Sequence, residues 1–317
     1  MPWGKRSIPA VRSRLFAVLA LFSLSLSVVG WGHPARASSS TAPTAIVRYV
    51  DVGQGDAVVI KVRQKIIVSD AGKPGTADET EQALSALGAT RIDVAIITHP
   101  HADHVGGFEQ LLADYPIGLI VRSANDYYQE TATNRALLRA IAERHIRVRV
   151  VATGNRLNIG GGTITVLGPP RGLYASADEI GNASVAYRLS VGKTSFAFTG
   201  DAEEPELEGI ASSWHFGRAD GFLATHHGSS HGSTAPLLDR IKPRIVVISV
   251  GSNTYGHPSH EAVARLRATG ATIYCTQVNG DVIATVKAGR VSWRATAQKR
   301  AWWPRGRTTP IGRCGSY

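Results

Sequence analysis

The amino-acid sequence predicts a layered α/β fold, and three observations carry the expectation: short runs rich in Val and Ile, helical periodicities between them, and alternation of the two along most of the chain. Strand-like runs occupy 45–51, 56–63 and 65–70; a helical period follows at 78–87 and an apolar strand at 93–98. The pattern repeats as strand 117–122, helix 131–145 and strand 147–151, followed by strands at 163–167, 185–191 and 194–199. Then strand 221–225, helix 235–242, strand 244–249, helix 260–268 and strand 272–276 alternate in order. No short-period repeat is visible, and the Gly and Pro clusters fall between elements as loops. The body, 45–288, therefore reads as one large domain.

The two ends read differently. Lys5, Arg6, Arg12 and Arg14 precede an apolar run at 15–29, and Ala35-Arg36-Ala37 before Ser38 has the form of a cleavage site, so 1–37 is expected to be a secretory signal peptide. The apolar run is shorter than the roughly 20 residues of a membrane-spanning helix, and a retained N-terminal anchor is the alternative. No other segment reads as membrane-spanning, so no integral membrane domain is expected, and the protein should be extracellular, periplasmic or at the cell surface. Residues 38–44 read as a flexible lead and 289–317 as a basic tail, of which 301–307 has neither helical nor strand period.

Charge follows this division. The chain of 317 residues carries a formal +11, but 1–37 holds five basic and no acidic residues, and 282–317 holds eight basic and none acidic. The body between them is close to neutral, so its basicity does not by itself mark a nucleic-acid-binding domain. Cys275 and Cys314 are the only cysteines. Export permits a disulfide between them; two separate thiols are the alternative.

Behind the strand 93–98 stands Thr98-His99-Pro100-His101-Ala102-Asp103-His104, with three imidazoles and a carboxylate inside six positions. In an extended segment His99 and His101 point to one side and can grip one ion. Asp103 and His104 follow where the chain begins to read as a helix, and present a second pair of ligands nearby. Two divalent ions are expected, zinc by ligand preference with manganese as the alternative. Asp201, after the strand 194–199, is of the right type to bridge both, although Asp at a strand-to-helix junction is also a common helix cap. His226 and His227 follow the strand-like Gly221-Phe222-Leu223-Ala224; one should complete the second metal, with His227 preferred. His231 and His257 face either substrate or solvent.

With these residues the chain resembles the metallo-β-lactamase superfamily, and within it the metallo-hydrolase domain of the ComEC family of DNA-uptake channel proteins. The matching blocks are Asp51-Val52-Gly53-Gln54-Gly55-Asp56, Asp70-Ala71-Gly72, Thr98 to Gly107, Asn182-Ala183-Ser184, Thr199-Gly200-Asp201, His226-His227-Gly228-Ser229 and Tyr255-Gly256-His257-Pro258. The resemblance implies a four-layer αββα sandwich. It also implies a ligand set in which His99 and His101 hold the first metal, Asp103, His104 and His227 or His226 the second, and Asp201 both. Many members of the superfamily carry a further His ligand before the bridging Asp. Here Asn182 stands in that region, which argues against a true β-lactamase and implies a loosely held first ion. Asp70 is expected to hydrogen-bond a metal-binding imidazole. Asp56, Asn182, Ser184 and Ser229 are expected to line the site, with Asp56 and Gln54 in a hairpin that is alternatively a plain Gly-requiring turn.

The expected activity is hydrolysis of a phosphodiester by an activated water, with Asp103 and Asp201 at the metals and His231 or His257 protonating the leaving oxygen. DNA is the expected substrate, since the resemblance points to it and the Trp-containing basic tail suits phosphates and bases. Two other classes remain: a phosphodiesterase acting on cell-envelope or small-molecule phosphodiesters, and a noncatalytic DNA-binding or scaffold protein that keeps the fold.

Overall fold

The computed structural model describes residues 44–124, 131–171, 180–215, 217–297 and Cys314. The expected signal peptide, the lead up to residue 43 and the segment 301–307 lie outside the described residues. Among the described residues no helix is long and apolar enough to cross a membrane.

In chain order the first half comprises β1 (Ala45–Tyr49), β2 (Ala57–Val62), β3 (Lys65–Ala71), α1 (Ala77–Ala86), β4 (Val94–Ile96), α2 (Ala102–Val105), α3 (Phe108–Asp114), β5 (Ile120–Arg122), α4 (Ala132–Glu143) and β6 (Val148–Val150). The second half comprises β7 (Arg156–Ile159), β8 (Gly162–Val166), β9 (Tyr187–Val191), β10 (Thr194–Phe198), α5 (Glu206–Ser213), β11 (Gly221–Leu223), α6 (Ala235–Ile241), β12 (Ile245–Ile248), α7 (His260–Ala268), β13 (Thr272–Cys275), α8 (Thr276–Asn279), β14 (Val282–Lys287) and β15 (Arg290–Ala295).

The strands form two sheets. One runs β15-β14-β1-β2-β3-β4-β5-β6 and the other β13-β12-β11-β10-β9-β8-β7. Each is mixed: β3 to β6 and β10 to β13 pair in parallel, and the remaining neighbours are antiparallel.

Side-chain alternation explains why the strand sequences read as continuous apolar runs. In β2, Val58, Ile60 and Val62 face the core shared by the two sheets, while Val59 faces the opposite way. In β10, Phe196 and Phe198 face that same core, and Ala197 packs with α5 and α6. The outer face of the first sheet is covered by Leu84 of α1, Phe108 and Leu111 of α3 and Leu137 of α4. Leu207 and Ile210 of α5, Leu237 of α6 and Leu266 of α7 cover the second. The layers are thus αββα, as expected.

Five elements escape the sequence reading, the single-turn α8 among them. β7 is only four residues long with polar Arg156 and Asn158 on its outer side, and α5 is a two-turn helix whose start follows Pro205. β14 and β15 form a hairpin at the sheet edge, turning through Ala288 and Gly289, both at positive φ. Residues 290–295, expected in the basic tail, are therefore a strand. Val291 and Trp293 pack against the inter-sheet core while Arg290 and Arg294 alternate outward, and the charge masked that period.

The parallel strands point their carboxyl ends to one rim. β3 ends near Asp70, β4 before the His cluster, β10 before Asp201, β11 before His226 and β12 before Ser249. Such a rim is where open parallel sheets gather ligands.

Candidate metal centre

Close backbone contact between strand ends sets the site. A Cβ on Gly106 would collide with the Pro74 nitrogen and one on Gly107 with the Ala71 carbonyl, so this glycine pair lets α2 press against the end of β3. The helical period read from His104 onward is therefore split into α2 and α3. The hairpin 51–56 closes from the other side, where the Asp56 amide donates to the Asp103 carbonyl at 3.1 Å. Asp56 is buried at the site, which favours the site-lining reading of that hairpin over the plain turn.

Four imidazoles are each fixed through Nδ1. Asp70 accepts the Thr98 amide on Oδ1 at 2.9 Å and the Thr98 hydroxyl on Oδ2 at 2.7 Å. With its proton committed to Asp70, the Thr98 hydroxyl can only accept from His99 Nδ1, 3.0 Å away. His104 Nδ1 donates to Asp70 Oδ2 at 3.0 Å, His227 Nδ1 to the Ser249 carbonyl at 3.0 Å and His226 Nδ1 to Glu203 Oε1 at 2.8 Å. In this pattern every Nε2 presents a lone pair, and all four converge on one carboxylate oxygen. Asp201 Oδ2 lies 3.5 Å from His99 Nε2, 3.3 Å from His104 Nε2, 3.6 Å from His226 Nε2 and 3.7 Å from His227 Nε2.

These separations suit an ion better than direct contact. Ligands about 2.0–2.2 Å from a tetrahedral ion lie roughly 3.3–3.6 Å from one another. His104 Nε2 and His227 Nε2 are 3.3 Å apart, with Asp103 Oδ2 3.3 Å from the latter. His99, His104 and Asp201 form one group whose ligand atoms all lie within 4.8 Å of each other, and Asp103, His104 and His227 another. His101 Nδ1 stands 2.9 Å from His99 Nε2 on the first side. Asp201 Oδ1 is buried without a hydrogen-bond partner, as is Asp56 Oδ1, which faces His227 Nδ1 at 3.4 Å. A divalent ion would satisfy the orphaned oxygen of Asp201, and the donor set fits divalent metal ions.

Charge tells the same story. Burial alone would raise the Asp201 carboxyl, but His104, His227, His226 and His99 outweigh it and hold the group well below the usual carboxylate range. Burial alone would lower His104 and His227, but Asp201, Asp103 with Asp70 around the first, and Asp56 around the second, lift both well above the ordinary histidine value. The cluster demands positive charge, which either protons or metal supply.

Asp201 caps no helix: α5 begins later, at Glu206, and the Asp201 amide donates to Ser184 Oγ at 3.2 Å. Both imidazoles at the tip of β11 face Asp201: buried His227 also faces Asp103, and half-buried His226 stands on Glu203. Both adopt positive φ, which turns two consecutive rings toward the centre.

Asn182, expected to line the site, is buried beside the loop that follows Asp201. Its Nδ2 donates to the Glu204 carbonyl at 3.1 Å, and its Oδ1 accepts the Glu203 amide at 2.7 Å. The amide braces the loop after Asp201. Glu203 itself escaped notice as a site residue. It accepts from His226 and from Ser229 Oγ, at 2.8 and 3.2 Å, and its position two residues after Asp201 was the only available signal.

The two further histidines separate. His231 is exposed and lines a cavity of about 410 Å³ with Glu203, Thr234 and Arg265. His257 belongs to the centre: its ring lies 5.2 Å from that of His226 and 6.4 Å from that of His227, and its buried Nδ1 has no hydrogen-bond partner. Burial, then the charges of His226 and His227, push its imidazole down to about 4. Cys275 and Cys314 form a disulfide, which settles the alternative left by the sequence.

The sequence profile of the metallo-beta-lactamase superfamily matches residues 50–251. ComE operon protein 3 of Bacillus subtilis (strain 168) is 24% identical over 255 residues, covering 74% of this chain and 32% of that protein. Competence protein ComA of Neisseria gonorrhoeae is 25% identical over 262 residues, covering 82% of this chain and 35% of that protein. The chain thus spans about a third of the length of these curated relatives. Among solved structures, the metallo-beta-lactamase fold protein YhfI from Bacillus subtilis aligns with a TM-score of 0.51 at 12% identity, covering 78% of this chain and 99% of that one, a likeness of fold alone.

Proposed function

The chain belongs to the metallo-beta-lactamase superfamily, and from that premise we propose that it is an exported, metal-dependent phosphodiesterase whose substrate is DNA. One observation carries the hydrolytic reading: four imidazoles tied by Nδ1 aim their Nε2 atoms at a single buried carboxylate oxygen of Asp201, with Asp103 beside them. His99, His101 and Asp201 would hold one ion, and Asp103, His104, His227 and Asp201 a second, with zinc favoured by the imidazole-rich set.

Divalent ions there supply Lewis acidity toward a phosphoryl oxygen and bring the pKa of a water toward neutrality. The chain's own groups hold the geometry. Asp70, Glu203 and the Ser249 carbonyl lock three rings, so little reorganisation is left for the reaction. His257, neutral near pH 7, suits accepting a hydrogen bond at the reaction centre better than delivering a proton. His231, across Glu203, is the less direct candidate for that delivery.

The DNA reading draws on the competence protein among the relatives. Export draws on the basic-apolar N-terminus and on the disulfide, a bond of oxidising compartments. The test is metal-depleted protein, reloaded with zinc or manganese and assayed on single- and double-stranded DNA, bis-p-nitrophenyl phosphate and a β-lactam, alongside Asp103→Ala. Metal-dependent DNA cleavage lost in the variant is expected. Cleavage of the small diester alone removes DNA as substrate, and metal-independent DNA binding without turnover replaces the enzyme by a scaffold.

A further inference from the structure

Large apolar side chains exposed among the described residues are few: Val148, Val150 and, most of all, Tyr255 at 73%. The two valines lie on the edge strand β6. Tyr255 instead sits in the loop between β12 and α7, beside the metal centre, on a backbone turn held at several points.

Asn253 closes the loop around itself. Its Nδ2 donates to the Gly251 and His257 carbonyls at 2.9 and 2.8 Å, and its Oδ1 accepts the Tyr255 and His257 amides at 3.0 and 3.1 Å. Both protons and both lone pairs of one side-chain amide are thereby spent on the turn that carries Tyr255. The ends of the loop are fixed on the site's own segments. Gly251 packs so tightly on Gly53 and Gln54 that a Cβ would strike their backbone, and the Ser259 amide donates to the Gly228 carbonyl at 2.8 Å. This frame fixes the backbone position from which the Tyr255 side chain projects, with the residue 73% exposed.

From Tyr255 a line of rings leads to the chemistry. Its centroid is 5.9 Å from that of His257, whose ring is 5.2 Å from that of His226, and His226 Nε2 is 3.6 Å from Asp201 Oδ2. A phosphodiester seated at Asp201 would carry its neighbouring substituent past the open face of Tyr255. A flat, apolar-faced substituent gains most from a preoriented aromatic ring, and in a phosphodiester polymer that substituent is a nucleobase.

We propose that Tyr255 is a stacking platform for a nucleobase adjacent to the phosphodiester bound at the metal centre. The platform favours single-stranded nucleic acid, whose bases are free to leave their neighbours, over backbone-only polymers such as polyol phosphates. This assignment rests on the phosphodiesterase reading for the placement of the phosphate, but the stacking itself is measurable without turnover.

The test compares oligothymidylate with an abasic oligomer of equal length, using the metal-loaded full chain, Tyr255→Phe and Tyr255→Ala. Fluorescence anisotropy gives Kd, and cleavage gives KM and kcat. For Tyr255→Ala, Kd and KM toward oligothymidylate should rise about tenfold or more, as expected for loss of base–aromatic stacking, with the loss in KM exceeding that in kcat. The abasic oligomer should lose less than twofold, and Tyr255→Phe should bind both as the wild type does. Equal losses on the two oligomers, or none on oligothymidylate, overturn the platform. If the wild type cleaves neither oligomer, the phosphodiesterase reading fails, while a base-dependent Kd that vanishes in Tyr255→Ala still upholds the platform, and a Kd indifferent to bases rejects it.

Discussion

Asp70 Oδ2 and His104 Nδ1 lie 3.0 Å apart, both fully enclosed, and the same oxygen accepts the Thr98 hydroxyl at 2.7 Å. One carboxylate thus sets the tautomer of His104 and, through Thr98, that of His99, on the two sides of the centre. Asp70→Asn should keep the shape and lose the control, because an amide offers one acceptor oxygen where the carboxylate offers two. Zinc affinity, measured by competition with a chelator, should fall about 10- to 100-fold. Unchanged affinity would show that the rings are oriented without Asp70.

Asn182 separates a ligand from a brace. If it holds only the 203–204 backbone, Asn182→Ala should cost about 1–3 kcal/mol in urea unfolding by stranding the groups it satisfied, yet keep the metal stoichiometry of the wild type. His104→Ala, read by the same elemental analysis, should lose metal. Depletion of metal in Asn182→Ala to the level of His104→Ala would instead make the amide a ligand.

The His cluster was legible because its ligands are adjacent in sequence, and β4 and β10 because both of their faces are buried and apolar. What stayed hidden depends on closure in space. Nothing local marks Asn253 as the residue that spends four hydrogen bonds on one turn, since its partners acquire meaning only once 251–257 folds around it. Asn182 was placed near the ions by its position in the chain, but its two bonds to the 203–204 backbone could not be read there. β15 was hidden by its own arginines, whose alternation with Val291 and Trp293 is strand periodicity at a sheet edge.

Glu206 gives a pH prediction away from the ligands. Its side chain is enclosed, Oε2 accepts the Ser184 amide at 3.2 Å and Oε1 has no partner, so burial pushes the carboxyl well above its ordinary value, with the Ser184 bond opposing more weakly. A folded value above the unfolded one means that the favourable contribution is complete below about pH 4.5 and is lost as pH rises through the folded value. Glu206→Gln imitates the neutral acid and removes this slope. Urea unfolding from pH 5 to 8 should show the variant gaining on the wild type as pH rises, by at most about 1.4 kcal/mol per pH unit. Parallel curves would mean that Glu206 ionises without penalty.

Removal of metal should be felt by the whole domain, because Asp201 and its four facing imidazoles hang from β4, β10 and β11 and so tie the two sheets together. Ligand that binds only the folded state at 100 times its Kd stabilises by about 2.7 kcal/mol. For a domain of this size, that corresponds to a rise in Tm of roughly 5–10 °C. Scanning fluorimetry with zinc added to chelator-treated protein should show it, and Asp201→Asn should reduce it to near zero by weakening the one carboxylate common to both proposed ions. A full shift in Asp201→Asn would place the stabilising zinc elsewhere, and no shift in the wild type would leave the converging Nε2 atoms to be explained by shared protons alone.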